Sequence, residues 1–360
     1  MITKEKISTF QLGTLIIGFI IGDFILLIPS KVVGQNAWMP VLISGIGGII
    51  LISLYVFISK IHPQRTLVDI IYFCFGKFFG TIFIVLYINY FLQLAAIIAR
   101  TIADYMIVVN YTRTPLFFIL LLILIIVSYD IRKGMEVVGR LAEISIPIVL
   151  TFIFLTTLLL IPKYKLDNIY PIMENGIKPI LKESFYTLTF PFGETVVFLM
   201  IFPFLNDNKK LLKTSVLSMG IAVIILVIVT LRNILVLGHN LMVRSSYPTH
   251  TVASLVPELV IEPIVSINLL VSGGAQIVAL VFATVIGITQ LFKLDDYKPV
   301  VLPVGLFLVP FAMWYYDSTP QMAYTAREVL PYFAIFFQVV IPILLLLISL
   351  IKLKLKKSGN

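Results

Sequence analysis

Two acidic residues interrupt long apolar stretches, and each follows a glycine. The pairs and their neighbouring prolines are Gly22-Asp23 with Pro29, and Gly193-Glu194 with Pro191 and Pro203. Glycine adopts non-helical conformations and proline removes a backbone donor, so both positions are predicted to unwind. Amide donors exposed there would bind a carboxylate, while carbonyl oxygens or the acids would bind an amine or cation. That combination suits a zwitterionic amino acid. Alternatively, each acid is protonated and only caps an opened turn.

Three further ionisable residues lie inside apolar stretches, where a charge costs about 2.5–3.5 kcal/mol on insertion scales. Arg100 and Asp104 are four residues apart, which predicts an ion pair on one helix face. Arg232 is predicted to extend its guanidinium toward the outer surface. The segment 272–276, with its serine and glycines, favours close helix packing, and Thr284 is a candidate for reaching a central site.

Catalytic and metal-binding signatures are missing from the sequence. There is one cysteine and three histidines, too few for a structural zinc site of the usual kind. No glycine-rich phosphate loop with a lysine and no nucleophile elbow is present. The sequence therefore predicts no enzyme, no metal and no cofactor.

The elements that must position these residues are membrane spans. Of 360 residues, 59% are hydrophobic and 12% charged, and the mean hydropathy is +1.06. Soluble domains carry about 25% charged residues, so the chain is predicted to be a polytopic integral membrane protein. Stretches of roughly 20 apolar residues predict ten transmembrane helices. They lie near 10–30, 38–59, 81–109, 115–130, 141–161, 184–205, 214–238, 263–292, 300–316 and 331–351.

The basic residues predict the orientation of these spans. With a cytoplasmic N-terminus, 17 of the 27 Lys and Arg residues fall in inner segments and 8 in outer ones. The positive-inside rule then places both termini in the cytoplasm. The basic tail 352–360 would face the anionic inner leaflet, which explains much of the net charge of +9 without nucleic acid.

The matched broken spans indicate an internal repeat. One transmembrane domain, 1–360, would contain a first repeat at about 10–161 and a second at about 184–351. A lateral helix over 67–79 and a bent lid within 239–262 would occupy equivalent places in the two halves. This five-plus-five inverted repeat, all-α with discontinuous helices 1 and 6, is typical of the LeuT-like amino-acid/polyamine/organocation superfamily. The alternative is that glycines and prolines are simply common in membrane helices.

Three motifs give the chain a family resemblance. They are 190–203, with its Pro-Phe-Gly-Glu run, the Gly-Arg-Leu-Ala-Glu segment 139–143, and Asp-Asp-Tyr-Lys-Pro at 295–299. The chain resembles, over essentially its whole length, the spore germination permeases, the B subunits of nutrient germinant receptors. The resemblance implies a ligand pocket formed by spans one, three, six and eight. Its residues here would be Gly22, Asp23, Phe24, Ala96, Arg100, Gly193, Glu194, Phe198, Thr284 and Ile288.

The same resemblance implies the cellular role. Such subunits reside in the spore inner membrane with a larger A subunit and a C-subunit lipoprotein, sense a small nutrient such as an amino acid, and trigger germination through ion release or channel gating. Asp23 and Phe24 stand where related permeases usually carry small residues, which argues against a simple alanine-like ligand. The alternative function is a secondary transporter of amino acids or amines, coupled to protons or sodium. A purely structural scaffold fits poorly with ionisable residues at broken helices.

Overall fold

The computed structural model describes residues 5–255, 261–316 and 318–358, and these are almost entirely helical. The α-helices are α1 (Thr9–Ile21), α2 (Phe24–Leu27), α3 (Trp38–Ile61), α4 (Leu67–Val109), α5 (Leu116–Lys133), α6 (Met135–Leu159), α7 (Ile177–Thr187), α8 (Leu211–Arg244), α9 (Pro248–Ser254), α10 (Glu262–Leu291), α11 (Lys298–Trp314), α12 (Thr319–Glu328), α13 (Leu330–Ile335) and α14 (Ile341–Ser358). Within the described ranges there is no β-strand, only an isolated bridge between Ile7 and Leu205.

Seven helical segments are long and apolar enough to cross a membrane. They are Thr9–Leu27, Trp38–Ile61, Leu67–Val109, Met135–Leu159, Leu211–Arg244, Glu262–Leu291 and Leu330–Leu355. The prediction of a polytopic integral membrane protein is therefore confirmed. The other three predicted spans coincide with α5, with α11 and with the interrupted stretch that begins with α7. The number of crossings, ten, stays a prediction.

Connecting segments contact each other at each of the two faces of the bundle. At the N-terminal face, Glu5 accepts hydrogen bonds from the Met135 amide (2.6 Å) and the Tyr297 hydroxyl (3.1 Å). At the opposite, distal face, Lys31 donates to the carbonyl oxygens of Ser245 (2.5 Å) and Ser246 (3.1 Å). These contacts join connectors that are far apart in sequence.

The first span is broken where the sequence predicts. Helix α1 begins with a capping box, in which Ser8 Oγ accepts from the Gln11 amide and the Gln11 side chain accepts from the Ser8 amide. It ends at Gly22, whose φ of 25° and ψ of −129° lie outside the helical region. After Asp23, only the single turn α2 follows before Ile28 takes a left-handed conformation. The span is therefore two helical pieces separated at Gly22-Asp23.

The sixth span is broken earlier than predicted. Helix α7 continues into a π-helical turn, Leu188–Phe192, in which Phe190 is extended, with φ −140° and ψ 115°. Gly193 and Glu194 then begin a 3-10 helix, Gly193–Met200, so the prediction that they form the break is wrong. The reason is Pro191, because its ring disfavours helical geometry in the residue before it.

The structure agrees only in part with the predictions for the two long connectors, the lateral helix over 67–79 and the bent lid within 239–262. The lateral helix begins at Leu67 but is interrupted at Gly76, which has a φ of 72°, rather than continuing to Phe79. The remainder of α4 follows directly from that kink. In the second connector, α8 continues to Arg244 and α9 covers Pro248–Ser254, while residues 256–260 of the predicted lid lie outside the described residues.

Helices α1 and α10 form the centre of the bundle. In the most apolar 18 residues of each span, 89% are buried in Thr9–Leu27 and 78% in Glu262–Leu291, against 50% or less in α3, α6 and α8. Helix α1 packs against α6, α8 and α10, and α10 packs along α4. Small residues permit this approach, since a Cβ on Gly18 would lie 2.6 Å from Ile146 and one on Gly273 2.6 Å from Ile102. The broken span one is therefore surrounded by protein rather than lipid.

Candidate functional site

The two broken spans bring two carboxyl groups together in the interior. The side chains of Asp23 and Glu194 are buried, with 1% and 4% exposure, and lie near enough for their charges to repel. The amide of Gln276, from α10, lies beside both carboxyl groups, and its Oε1 accepts from the Asp23 backbone amide at 3.2 Å. Residues from spans one, six and eight thus form one polar cluster.

Three polar atoms in this cluster lack a hydrogen-bond partner within the described part of the chain. They are Asp23 Oδ1, Glu194 Oε2 and Gln276 Nε2. Buried polar atoms are normally paired, and leaving one unpaired costs about 1–3 kcal/mol. Two acceptors and one donor left open at one place are the complement of a small molecule that carries both kinds of group.

Glycine is required at position 22 for two reasons. Its positive φ is a conformation that side chains rarely adopt, and a Cβ there would lie 2.0 Å from Gln276 Oε1. The Gly22 carbonyl, freed from the helix, accepts from Ser272 Oγ at 3.2 Å. The break in span one is therefore held open by side chains of α10.

A second polar residue, Gln338, supports the break in span six. It lies in the π-helical turn Phe336–Val340, and its Nε2 donates to Tyr90 Oη (2.7 Å) and to the Thr189 carbonyl (2.9 Å). Tyr55 Oη donates to the Gln338 carbonyl at 2.6 Å and lies 3.3 Å from that of Gly193. These bonds occupy carbonyl groups that the interrupted helix leaves open.

Gln338, Tyr55, Tyr90 and the polar role of Gln276 were not predicted from the sequence. From the sequence, Gln276 belongs to a stretch, 272–276, that predicts close helix packing. A glutamine in the middle of the strongly apolar last span is itself a signal, because polar groups inside a membrane are costly. No local pattern indicates which broken helix such a glutamine faces.

Aromatic side chains line the apolar side of the breaks. Phe24 follows the first break and lies 6.3 Å, centroid to centroid, from Phe190 at the second. Phe198, one turn beyond Glu194, packs edge-on against Phe19 at 5.4 Å and is fully buried. Of the predicted pocket phenylalanines, Phe24 therefore lies at the breaks, whereas Phe198 lies in the packing behind them.

The predicted residues of spans three and eight have their contacts elsewhere. The Arg100 guanidinium is paired with Asp104 at 2.9 Å, which confirms that ion pair, and approaches the Ala312 carbonyl at 3.4 Å. Thr284 donates to the Leu280 carbonyl in its own helix. It is eight residues from Gln276, about 12 Å along α10, and Ile288 lies a further turn away. Ala96 is buried in α4. Their part in ligand binding stays a prediction.

The prediction for Arg232 is wrong. Its side chain does not reach the surface, since the residue is 4% exposed. Nε donates to Asn233 Oδ1 at 3.1 Å, and Nη1 contacts the hydroxyl groups of Thr156 (3.3 Å) and Thr157 (3.5 Å). Neighbouring hydroxyls on α6 retain the guanidinium inside the bundle.

Lys31 ties the distal end of span one to the connector after α8. Burial lowers the pKa of its ammonium group to about 8, from an ordinary value of 10.5. The two carbonyl oxygens that it contacts carry no full charge and offset only part of that cost. This contact is therefore sensitive to mildly alkaline pH.

Several relatives of similar sequence are described as spore germination proteins. Residues 6–322 match the family described as "Spore germination protein". Spore germination protein KB of Bacillus subtilis (strain 168) is 29% identical over 99% of this chain and 98% of its own length. Spore germination protein YndE of the same organism is 24% identical over the same shares of the two chains.

Solved structures show the fold. Mhp1, a nucleobase-cation-symport-1 family transporter, has a TM-score of 0.72 at 15% identity, covering 92% of this chain and 76% of its own. MhsT, in complex with L-phenylalanine, has a TM-score of 0.65 at 14% identity, covering 95% and 97%. The predicted LeuT-like all-α membrane fold is confirmed. The family and the fold are those of a non-enzymatic membrane protein. The chain, matched over most of its length, belongs to the spore germination protein family.

Proposed function

We propose that this chain is the nutrient-binding membrane subunit of a spore germination receptor, and that it binds a small amino acid-like nutrient between the breaks of spans one and six. The observation that carries the proposal is the set of unpartnered atoms on Asp23, Glu194 and Gln276. The two carboxyl oxygens accept from an ammonium group, and the amide nitrogen donates to a carboxylate oxygen.

The aromatic pair beside this cluster defines the side-chain class of the nutrient. Phe24 and Phe190 face each other across the breaks and supply an apolar surface. Contact with an apolar or aromatic side chain stabilises a complex through buried area and ring packing. The similarity in fold to MhsT, which holds L-phenylalanine, supports an amino acid of this kind.

The proposed consequence of binding is germination through ion release or channel gating. The family match supports a role in germination, and from it we infer a receptor with an A subunit and a C-subunit lipoprotein in the spore inner membrane. The distribution of basic residues supports a cytoplasmic location for both termini. Binding would act by changing how the two broken helices pack against α10.

The alternative is secondary transport of an amino acid or amine coupled to protons or sodium. The specific observation in its favour is the similarity to Mhp1 together with two neighbouring buried carboxyl groups. Such a pair is suited to exchanging a proton or a cation. The two functions share the binding site and differ in whether the nutrient crosses the membrane.

Two measurements test the proposal. Isothermal titration of purified full-length protein with a panel of amino acids, sugars and nucleosides identifies the nutrient, and we expect apolar amino acids to bind. Uptake of the labelled nutrient into proteoliposomes, driven by a proton or sodium gradient, then separates the alternatives. Binding without uptake supports the receptor, and gradient-driven uptake supports the transporter.

The acids at the site are tested with Glu194→Gln, which keeps the shape but removes the charge. Losing one charge-assisted hydrogen bond weakens binding by about 1.5–3 kcal/mol, or roughly 10- to 150-fold. The exposed acid Asp295 supplies the control, Asp295→Asn, which should bind as the wild type does. Equal affinities for all three proteins would contradict the assignment of Glu194 to the ammonium group.

A further inference from the structure

A small cavity in the distal half of the bundle contains the guanidinium of Arg232. It is lined mainly by apolar side chains, among them Ile25, Ile153 and Ala253. The partners of the guanidinium are the hydroxyls of Thr156 and Thr157 and the amide of Asn233, all uncharged. Among residues 5–255, 261–316 and 318–358, no carboxylate lies within ion-pair distance of it.

A buried guanidinium in this situation lacks compensation for its charge. Arginine stays protonated in proteins, so it does not escape the desolvation cost by becoming neutral. It carries five N–H donors, and the contacts named above use only Nε and Nη1. Nη2 takes part in none of these contacts. A buried charge is normally paired, and an anion would supply the missing partner.

The opposite wall carries a second open polar group. Asn268, from α10, lines the same cavity, is 5% exposed, and its Oδ1 has no partner among the described residues. The remaining polar wall residue, Thr249, is already bonded to the Ile25 carbonyl and to Asn233 Nδ2. The two groups available to a ligand are therefore the guanidinium of Arg232 and the side-chain oxygen of Asn268, which accepts a hydrogen bond but does not bind an anion itself.

This cavity is separate from the nutrient site. Asn268 and Gln276 are eight residues apart on α10, about 12 Å along the helix axis. Ser272 lies between them, where its Oγ bonds both the Asn268 and the Gly22 carbonyls. Ile25, on the cavity wall, lies two residues beyond Asp23, so occupation of the cavity would affect the break in span one through Ile25 and Ser272, without contact with the nutrient.

We propose that the cavity at Arg232 binds a small monovalent anion, either a halide ion or the carboxylate of a small acid. The guanidinium supplies the charge and directed N–H donors, and the apolar walls exclude the water that would compete for them. A carboxylic acid with an adjacent hydroxyl or ammonium group would also donate to Asn268 Oδ1. This site does not depend on the proposed function, and its test uses no nutrient.

The experiment follows the melting temperature of purified full-length protein in titrations with sodium chloride and sodium formate. Sodium MES, a bulky sulfonate, keeps the ionic strength constant. A ligand that binds the folded state raises the melting temperature in a saturable way. We expect this rise in the wild type and in R244Q, which removes an exposed arginine from the end of the same helix. R232Q should raise the half-saturating concentration at least tenfold.

If R232Q does not fold, R232K takes its place, because lysine keeps the charge but loses the planar donor pair. A several-fold weaker dependence in R232K supports the site, and an unchanged dependence overturns it. A larger effect of formate identifies a carboxylate as the ligand, and a larger effect of chloride a halide.

A wild type without saturable dependence on either anion would overturn the proposal.

Discussion

Gly193 lies where an added methyl group would collide with one identified side chain. Its φ of −68° suits any residue, but a Cβ there would lie 2.1 Å from Gln338 Oε1. Gly193→Ala is therefore expected to displace the Gln338 side chain without straining the backbone. The displaced amide loses its bonds to Tyr90 Oη and to the Thr189 carbonyl.

The magnitude follows from those two hydrogen bonds. Losing them in a buried place costs about 2–4 kcal/mol, and alanine recovers up to about 1 kcal/mol over glycine in a helical turn. The net expectation is a loss of about 1–3 kcal/mol in the free energy of unfolding, measured by SDS titration in mixed micelles. The matched control is Gly220→Ala, where no heavy atom beyond the neighbouring residues and the backbone of its own helix lies within 4 Å of the new methyl group. Its effect should be neutral or slightly stabilising.

A double substitution tests the cause. Gln338→Ala alone removes the same two hydrogen bonds, so it should destabilise the protein to a similar degree. With Gln338 absent, the Gly193 methyl group has room, and Gly193→Ala should then cost almost nothing. The coupling energy should equal the cost of the single Gly193→Ala change. A Gly193→Ala variant as stable as Gly220→Ala, or two fully additive effects, would refute the reasoning.

Three other predictions concern the first span, pH and topology. Gly22→Val should abolish the response of spores to the nutrient at a normal protein level, because its Cβ would lie 2.0 Å from Gln276 Oε1; a normal dose response would exclude Gly22 from the site. Because the pKa of Lys31 is lowered to about 8 when folded, the unfolded state holds more protons above that pH. Between about pH 8 and the ordinary lysine pKa of 10.5, the wild type should therefore gain stability relative to Lys31→Met, so that the melting temperatures of the two proteins diverge as the pH rises. Parallel curves of melting temperature against pH would contradict the burial of the Lys31 charge. In a cysteine-free background, Ser246→Cys should react with an impermeant reagent from outside the cell and Asn206→Cys should not; the reverse pattern would invert the topology.

The membrane-spanning character of the helices was predictable because it depends on local composition. Apolar stretches of membrane length occur where helices form, and the acid after Gly22 marks the break in span one. Both signals lie within a few residues of their effect. The same holds for Arg100 and Asp104, whose spacing along one helix predicts their ion pair. The repeat boundaries near 161 and 184 stay a prediction.

In span six, two local signals compete, and the sequence alone does not rank them. Glycine permits unwinding at Gly193, but proline forces it at the residue before Pro191, so the break lies at Phe190. Glu194 consequently begins a regular 3-10 turn instead of lying in an open loop. The sequence therefore predicts the burial of Glu194 but not the conformation of its backbone.

Only the tertiary structure determines which partners the buried polar groups bind. Gln276 reaches a break 253 residues away, Tyr55 contacts the carbonyl of a residue 283 positions later, and Arg232 is retained by hydroxyls 75 and 76 positions earlier. In an isolated span, nothing determines whether such a side chain faces lipid, the membrane surface or the protein interior. Within the bundle, unpaired polar groups are costly, so each side chain turns toward whichever donor or acceptor the packing of the helices brings near.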